Sequence, residues 1–151
     1  MIYLLDTDTL IFMVRGLKPA RRHLQRKRAR QLAERCRSAQ AAGDDVGLSA
    51  ITVSELEFGA HHSGQYEREI TAVHKLLTPF RIYDYDGLSC PAHYGRVRHE
   101  LERKGLPIGS LDTLIAAHAL AIDATLVSNN LSHFSRVSGL KLINWLTPSG
   151  A

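Results

Sequence analysis

The sequence predicts an α/β fold of three layers, in which a short, mostly parallel sheet is flanked by helices. Two observations carry this. Short apolar runs of strand length alternate along the chain with stretches of helical periodicity. Three acidic residues, Asp6, Glu55 and Asp112, each fall where such a strand ends or such a helix begins. That is where ligands bind in open parallel sheets.

Taken in order, Ile2–Leu5 is a short apolar run, read as a buried strand, and the pattern turns helical through Leu10, Ile11 and Val14. Leu24, Ala29, Leu32, Cys36 and Ala39 recur at helical spacing, which predicts a long amphipathic helix over 18–42 with a basic outer face. Gly43 stops it. Residues 46–50 read as a second strand. Thr52, Val53, Ser54 and Glu55 then match a capping box, with Ile51 and Leu56 placed as its hydrophobic staple, so a helix is expected from Thr52 to His62. Ile70, Val73, Leu76 and Leu77 mark another helix, ended by Pro79, before a short strand at Arg81–Tyr83. A helix over 86–104 gives way to the stretch KGLPIG, and Ser110 is the expected cap of the next helix. The apolar face of that helix includes Leu111, Leu114, Ile115 and Ile122. Residues 125–128 form a strand, a loop and short helix follow, and 140–143 is the last strand.

Length and charge narrow the function. The 151 residues are read as one domain, with 44% hydrophobic and 23% charged residues and a formal charge of +4. Residues 15–37 hold ten of the nineteen Lys and Arg against one acid, Glu34, so that stretch carries +9 and the remainder −5. An acidic body with one basic arm suggests a polyanionic partner. On that reading Arg21, Arg22, Arg26, Lys27, Arg28 and Arg30 contact phosphates and position the polyanion rather than read its sequence. The first residues lack the basic start of a signal peptide, and no apolar stretch reaches the length of a membrane span. Cys36 and Cys90 are too few and too far apart for a disulfide framework, and read as buried thiols of a cytoplasmic protein.

Three carboxylates converging on one crevice repel unless a cation lies between them. Oxygen ligands favour a hard divalent ion, Mg²⁺ or Mn²⁺. Each acid also has a plainer reading. Asp6 or Asp8 could cap the first helix, the capping box accounts for Glu55, and the helix dipole favours an acid at Asp112. His61, His62 and His118 are read as surface or satisfied core residues.

The blocks LDTDTLIF, TVSELEFGA, YGRVRHELERKGLPIGSLDTLIAAHAL, TLVSNN and FSRVSGLKLINW resemble, in order, those of PIN-domain ribonucleases, most closely the VapC toxins. The resemblance implies Mg²⁺ between Asp6, Glu55 and Asp112, and cleavage of RNA, with tRNA the first substrate to consider. It also implies a VapB-type antitoxin that blocks the site, and a toxin homodimer. Two positions depart from the family's usual pattern. Asn129, Asn130 and His133 stand where another acid is common, and His133 is read as a solvent-facing helix residue. Asp8 replaces a more usual Asn, as an auxiliary acid or a cap. Two other readings compete. Asp6 and Asp8 also fit the D-x-D-x-T opening of haloacid-dehalogenase-type phosphohydrolases, with Asp6 as nucleophile and Asp8 as general acid. A PIN-like domain that only binds RNA is the third reading.

Overall fold

Adjacent residues that are both fully buried mark strands covered on both faces, which is the situation of a parallel sheet between helix layers. Leu4 and Leu5, and Leu126 and Val127, are such pairs, each residue at most 1% exposed. In the computed structural model, which describes residues 1–16 and 22–146, these residues lie in β1 (Ile2–Leu5) and β4 (Thr125–Val127). The remaining strands are β2 (Asp45–Ser49), β3 (Arg81–Tyr83) and β5 (Lys141–Ile143). All pairings are parallel, in the order β3-β2-β1-β4-β5.

The crossovers divide between the two faces. Helices α1 (Thr7–Gly16), α2 (His23–Ala41), α3 (Ala50–His62) and α4 (Tyr66–Leu77) link β1, β2 and β3. They bury Leu10, Met13, Leu32, Leu56, Ile70 and Val73 against Leu5 and Leu48. Helices α5 (Ser89–Arg103) and α6 (Ser110–Ala121) carry the chain from β3 back past β2 and β1 to β4. They pack Val97, Leu101 and Ile115 against Leu4 and Leu126. Leu4 and Leu5 thus serve opposite cores, as the two-residue period of a strand requires. The chain leaves β1 toward β2 on one face and returns to β4 on the other. The carboxyl ends of β1 and β4 therefore flank the topological switch point, where a crevice opens.

The α/β architecture is as the sequence predicts, but several boundaries move. The second strand is 45–49 rather than 46–50, and α3 begins at Ala50 rather than Thr52. Its cap is Ser49, whose hydroxyl accepts from the Ile51 N–H at 3.1 Å, so the capping box at Thr52 to Glu55 does not form. Thr52 is fully buried inside the helix, and its hydroxyl meets that of Thr7 at 2.9 Å. The helix predicted over 86–104 starts at Ser89, because the Asp86 carboxylate accepts from the Leu88 and Ser89 N–H groups and holds the preceding turn. The cap of α6 is Gly109, not Ser110. Its φ of +94° is one that only glycine adopts without strain. Within the described residues the basic helix runs His23–Ala41, and the expected first turns at 18–21 lie outside them.

Cys36 and Cys90 are buried and free, and burial pushes the Cys36 thiol up to about 12. Among the described residues no helix is long and apolar enough to cross a membrane.

Candidate active site

Asp6 follows β1 directly and is fixed from three sides. Its backbone N–H donates to Val127 O of β4 at 3.0 Å. One carboxylate oxygen, Oδ1, accepts from the Thr9 N–H at 2.8 Å and so caps α1. The other, Oδ2, accepts from the Ser128 hydroxyl at 2.5 Å. The residue is 3% exposed. Burial raises its pKa, the bonds from Ser128 and Thr9 pull it back, and the Asp8 charge raises it again. Capping and ligation are thus not alternatives here. One oxygen caps, and each oxygen keeps a lone pair for a further partner.

Asp112 reaches the same crevice from the first turn of α6, entered through Gly109. Its side chain is half-buried. Desolvation raises its pKa, the charges of Asp8 and Asp6 raise it further, and His133 lowers it. Asp8 is exposed on the first turn of α1 and acts on both. Asp112 therefore feels the charges of two carboxylates from a distant stretch of chain.

The turn after β4 supplies one residue that the sequence did not single out, Ser128, beside two that it did, Asn130 and His133. Ser128 is fully buried, donates to Asp6, and accepts from the Asn130 N–H at 2.9 Å. The Asn130 amide meets His133 Nδ1 at 3.0 Å, and that nitrogen stands 3.9 Å from Asp112 Oδ2. Asp6, Ser128, Asn130, His133 and Asp112 form a continuous polar arc joining the two acids. His133, expected to face solvent, keeps 42% of its side chain exposed and at the same time stands beside Asp112. The one-turn helix Leu131–Phe134 is anchored by buried Phe134, and His133 of the same turn stands beside Asp112. Asn129 is exposed, and its side chain makes no hydrogen bond among the described residues.

Known proteins resemble this chain along most of its length. The PIN domain family matches residues 3–140. Ribonuclease VapC2 of Rickettsia felis is 40% identical over 105 residues, 70% of this chain and 78% of the relative. The tRNA(fMet)-specific endonuclease VapC of Salmonella typhimurium is 33% identical over 95% of this chain and 97% of its own length.

This chain belongs to the PIN-domain family, among the VapC ribonucleases.

Solved structures agree. VapBC-1 from nontypeable Haemophilus influenzae superposes with a TM-score of 0.82 at 32% identity, over 97% of this chain and all of the other. VapBC2 from Rickettsia felis, bound to a DNA fragment from its promoter, gives 0.80 at 33% identity, covering 96% and 99%. The haloacid-dehalogenase reading falls with this assignment, as does the reading as a non-catalytic binder. PIN-domain nucleases generally depend on a divalent metal.

The other expected site residues of this PIN domain are less tightly gathered. Glu55 is half-buried on α3 and lines a groove with Ile11, Val14, Arg15 and Gly59. No hydrogen bond or ion pair engages it among the described residues. Nor do any three His, Cys, Asp or Glu side chains among those residues close into a ligating cluster. On α2 the buried stripe is Ala29, Leu32 and Cys36, and the cations spread over the remaining circumference. Arg22, Lys27, Arg28 and Arg30 are exposed and Arg26 is half-buried, while Arg21 lies outside the described residues. Lys27 and Arg28 line a groove with Gln31, Trp145 and Leu146. His61 stacks on Tyr66 at 4.0 Å and His62 on Phe58 at 5.7 Å, both exposed. His118 is fully buried, with Nδ1 2.7 Å from the Ser49 hydroxyl.

Proposed function

We propose that this PIN domain is the Mg²⁺-dependent endoribonuclease toxin of a toxin–antitoxin pair, with Asp6 and Asp112 as its principal metal ligands. One observation carries the reading. A buried and a half-buried carboxylate, delivered by β1 and α6, meet at the switch point with Asp8 beside them; burial raises the pKa of both, the Asp8 charge adds to each, and the Asp6 charge adds to Asp112. Holding like charges this way costs stability unless a counter-ion lies between them. The donor set fits a hard cation. Mg²⁺ is commonly held by one or two carboxylates, with waters and substrate phosphate completing the octahedron, so a closed protein cage is not required. Mn²⁺ shares the preference for oxygen and would substitute.

The bound cation supplies Lewis-acid polarisation of the scissile phosphate and neutralises its charge. The chain's own residues prepare the place. The Thr9 N–H and the Ser128 hydroxyl fix both oxygens of Asp6. Asn130 orients His133, whose Nδ1 accepts from the Asn130 amide and stands 3.9 Å from Asp112 at the edge of the acidic centre. Glu55 contributes negative charge from the adjoining groove and acts through water. Asn129 and Asn130 add polar groups without charge, and the cations of α2 hold the RNA backbone.

The Salmonella relative is named as a tRNA(fMet)-specific endonuclease, which makes tRNA the first substrate to test. The solved neighbours are VapBC complexes, which support a VapB-type antitoxin as partner. In the deciding experiment, purified protein is incubated with tRNA with and without Mg²⁺, beside Asp6→Asn and Asp112→Asn. Cleavage should need the metal and vanish in both variants while their folds persist. Cleavage by Asp112→Asn at the wild-type rate would remove that residue from the site.

A further inference from the structure

Beyond the carboxylates, one face of α1 is left without a role. Asp8, Ile11, Phe12 and Arg15 recur at three- and four-residue spacing, so they share one side of the helix. They line a groove of about 350 Å³ together with Gly16 and Gln25 of α2. The groove starts at Asp8, beside the acidic centre. It runs about 10 Å to Arg15, given a rise of 1.5 Å per residue. Phe12 lies between, partly buried against the core, with part of its ring toward the groove. Arg15 is exposed and makes no ion pair or hydrogen bond among the described residues. It does so although Glu55 and Glu69 line the neighbouring groove with it.

An acidic centre repels the polyanion it must cut, so a fixed cation at a short, set distance is what such a site needs. A guanidinium matches phosphate oxygens with two parallel hydrogen bonds. An aromatic face beside it accepts any base, because every base has a π-face. We propose that the α1 face formed by Asp8, Phe12 and Arg15 is a subsite for single-stranded RNA. In it Phe12 stacks beneath the base next to the cleavage point, and Arg15 takes that nucleotide's outer phosphate. The subsite rests on the ribonuclease reading above and adds two positioning residues to it. It also orients the substrate, which leaves the acidic centre along α1 toward the basic start of α2.

The test uses the full chain carrying Asp112→Asn, so that RNA stays intact. A short, fluorescently labelled single-stranded RNA is the probe, titrated over a range of salt with Mg²⁺ present. Adding Arg15→Ala should weaken binding about tenfold and flatten the log–log salt dependence by about 0.7, the loss of one phosphate contact on a single strand. Arg15→Lys should keep the slope while losing part of the affinity. Phe12→Leu retains packing against the core, and should weaken binding about tenfold with the slope unchanged. With Asp112 restored, both alterations should raise KM for RNA more than they lower kcat. If the Asp112→Asn parent binds RNA but the additional variants bind like it, the subsite is overturned and the ribonuclease reading stands. Variants that bind RNA normally but lose the antitoxin would also overturn it, and would make this face a peptide groove. If wild-type protein neither binds nor cuts RNA, both readings fall.

Discussion

Removing one hydroxyl should disable the proposed metal site without touching a ligand assigned to it. Ser128 is fully buried and its hydroxyl reaches Asp6 Oδ2 at 2.5 Å. Ser128→Ala therefore leaves one oxygen of a carboxylate that is only 3% exposed without its donor. It also strips the Asn130 N–H of its acceptor. A hydrogen bond to a charged group contributes about 1.5–3 kcal/mol, which corresponds to roughly 10- to 150-fold in an equilibrium constant. Loss of groups that orient metal ligands typically costs about 10- to 100-fold in affinity or activity. We expect Mn²⁺ affinity, measured by titration calorimetry, to fall within that range. The bond from Ser128 is also the largest influence holding down a pKa that burial raises. Without it the Asp6 pKa moves further up, and the acidic limb of the kcat/KM profile shifts to higher pH. Added metal should restore much of the activity, which it would not do for a merely misfolded variant. Wild-type Mn²⁺ affinity with an unmoved pH profile would refute the argument.

Three further outcomes follow from the described contacts. The Asp112 pKa lies above its ordinary 3.8, so its contribution to stability is present below that value and is lost as pH rises through the raised pKa. Metal-free protein should lose this part of its stability on going from acid toward neutral pH, and melting curves of Asp112→Asn should lack it. His118 has the opposite sign. Burial lowers its pKa from 6.5, so its contribution is present above 6.5 and fades as pH falls through the lowered pKa. His118→Gln should flatten the loss of stability below about pH 6.5, at a cost near neutrality of about 1 kcal/mol from the bond to Ser49, read from denaturant melts. Gly47→Ala would place a Cβ 2.3 Å from Arg81 O and 2.6 Å from the Tyr83 ring. It should therefore destabilise by about 1–3 kcal/mol through overpacking, measured as a shift in urea midpoint.

The parts legible in the sequence were those written in contiguous residues. Strands of unbroken apolar character, such as Ile2–Leu5, and the stripe of Ala29, Leu32 and Cys36 set the layers before any contact was known. Asp6 and Asp112 stood out because each follows a local signal, a strand end or a helix start. What stayed hidden was tertiary. Thr52 to Glu55 carries a sound capping pattern, yet Ser49 wins because β2 ends there and Thr52 is drawn into the core toward Thr7. Ser128 has no local mark at all, since its partner Asp6 is 122 residues away. The approach of His133 to Asp112 was hidden because a one-turn helix has no periodicity from which its facing could be read.

The bond from Ser128 to Asp6 also bears on the order in which the protein is made. Asp6 is synthesised 122 residues before Ser128, whose hydroxyl stabilises it, and Val127 O comes just ahead of Ser128. β4 completes the sheet on the other side of β1, and α6 delivers Asp112 only shortly before it. A nascent chain that stops short of β4 therefore holds Asp6 beside an unfilled sheet edge, with neither the donor nor the strand that fixes its carboxylate. Assembly of the acidic centre is in this way tied to the arrival of β4, and products that end before residue 125 lack it.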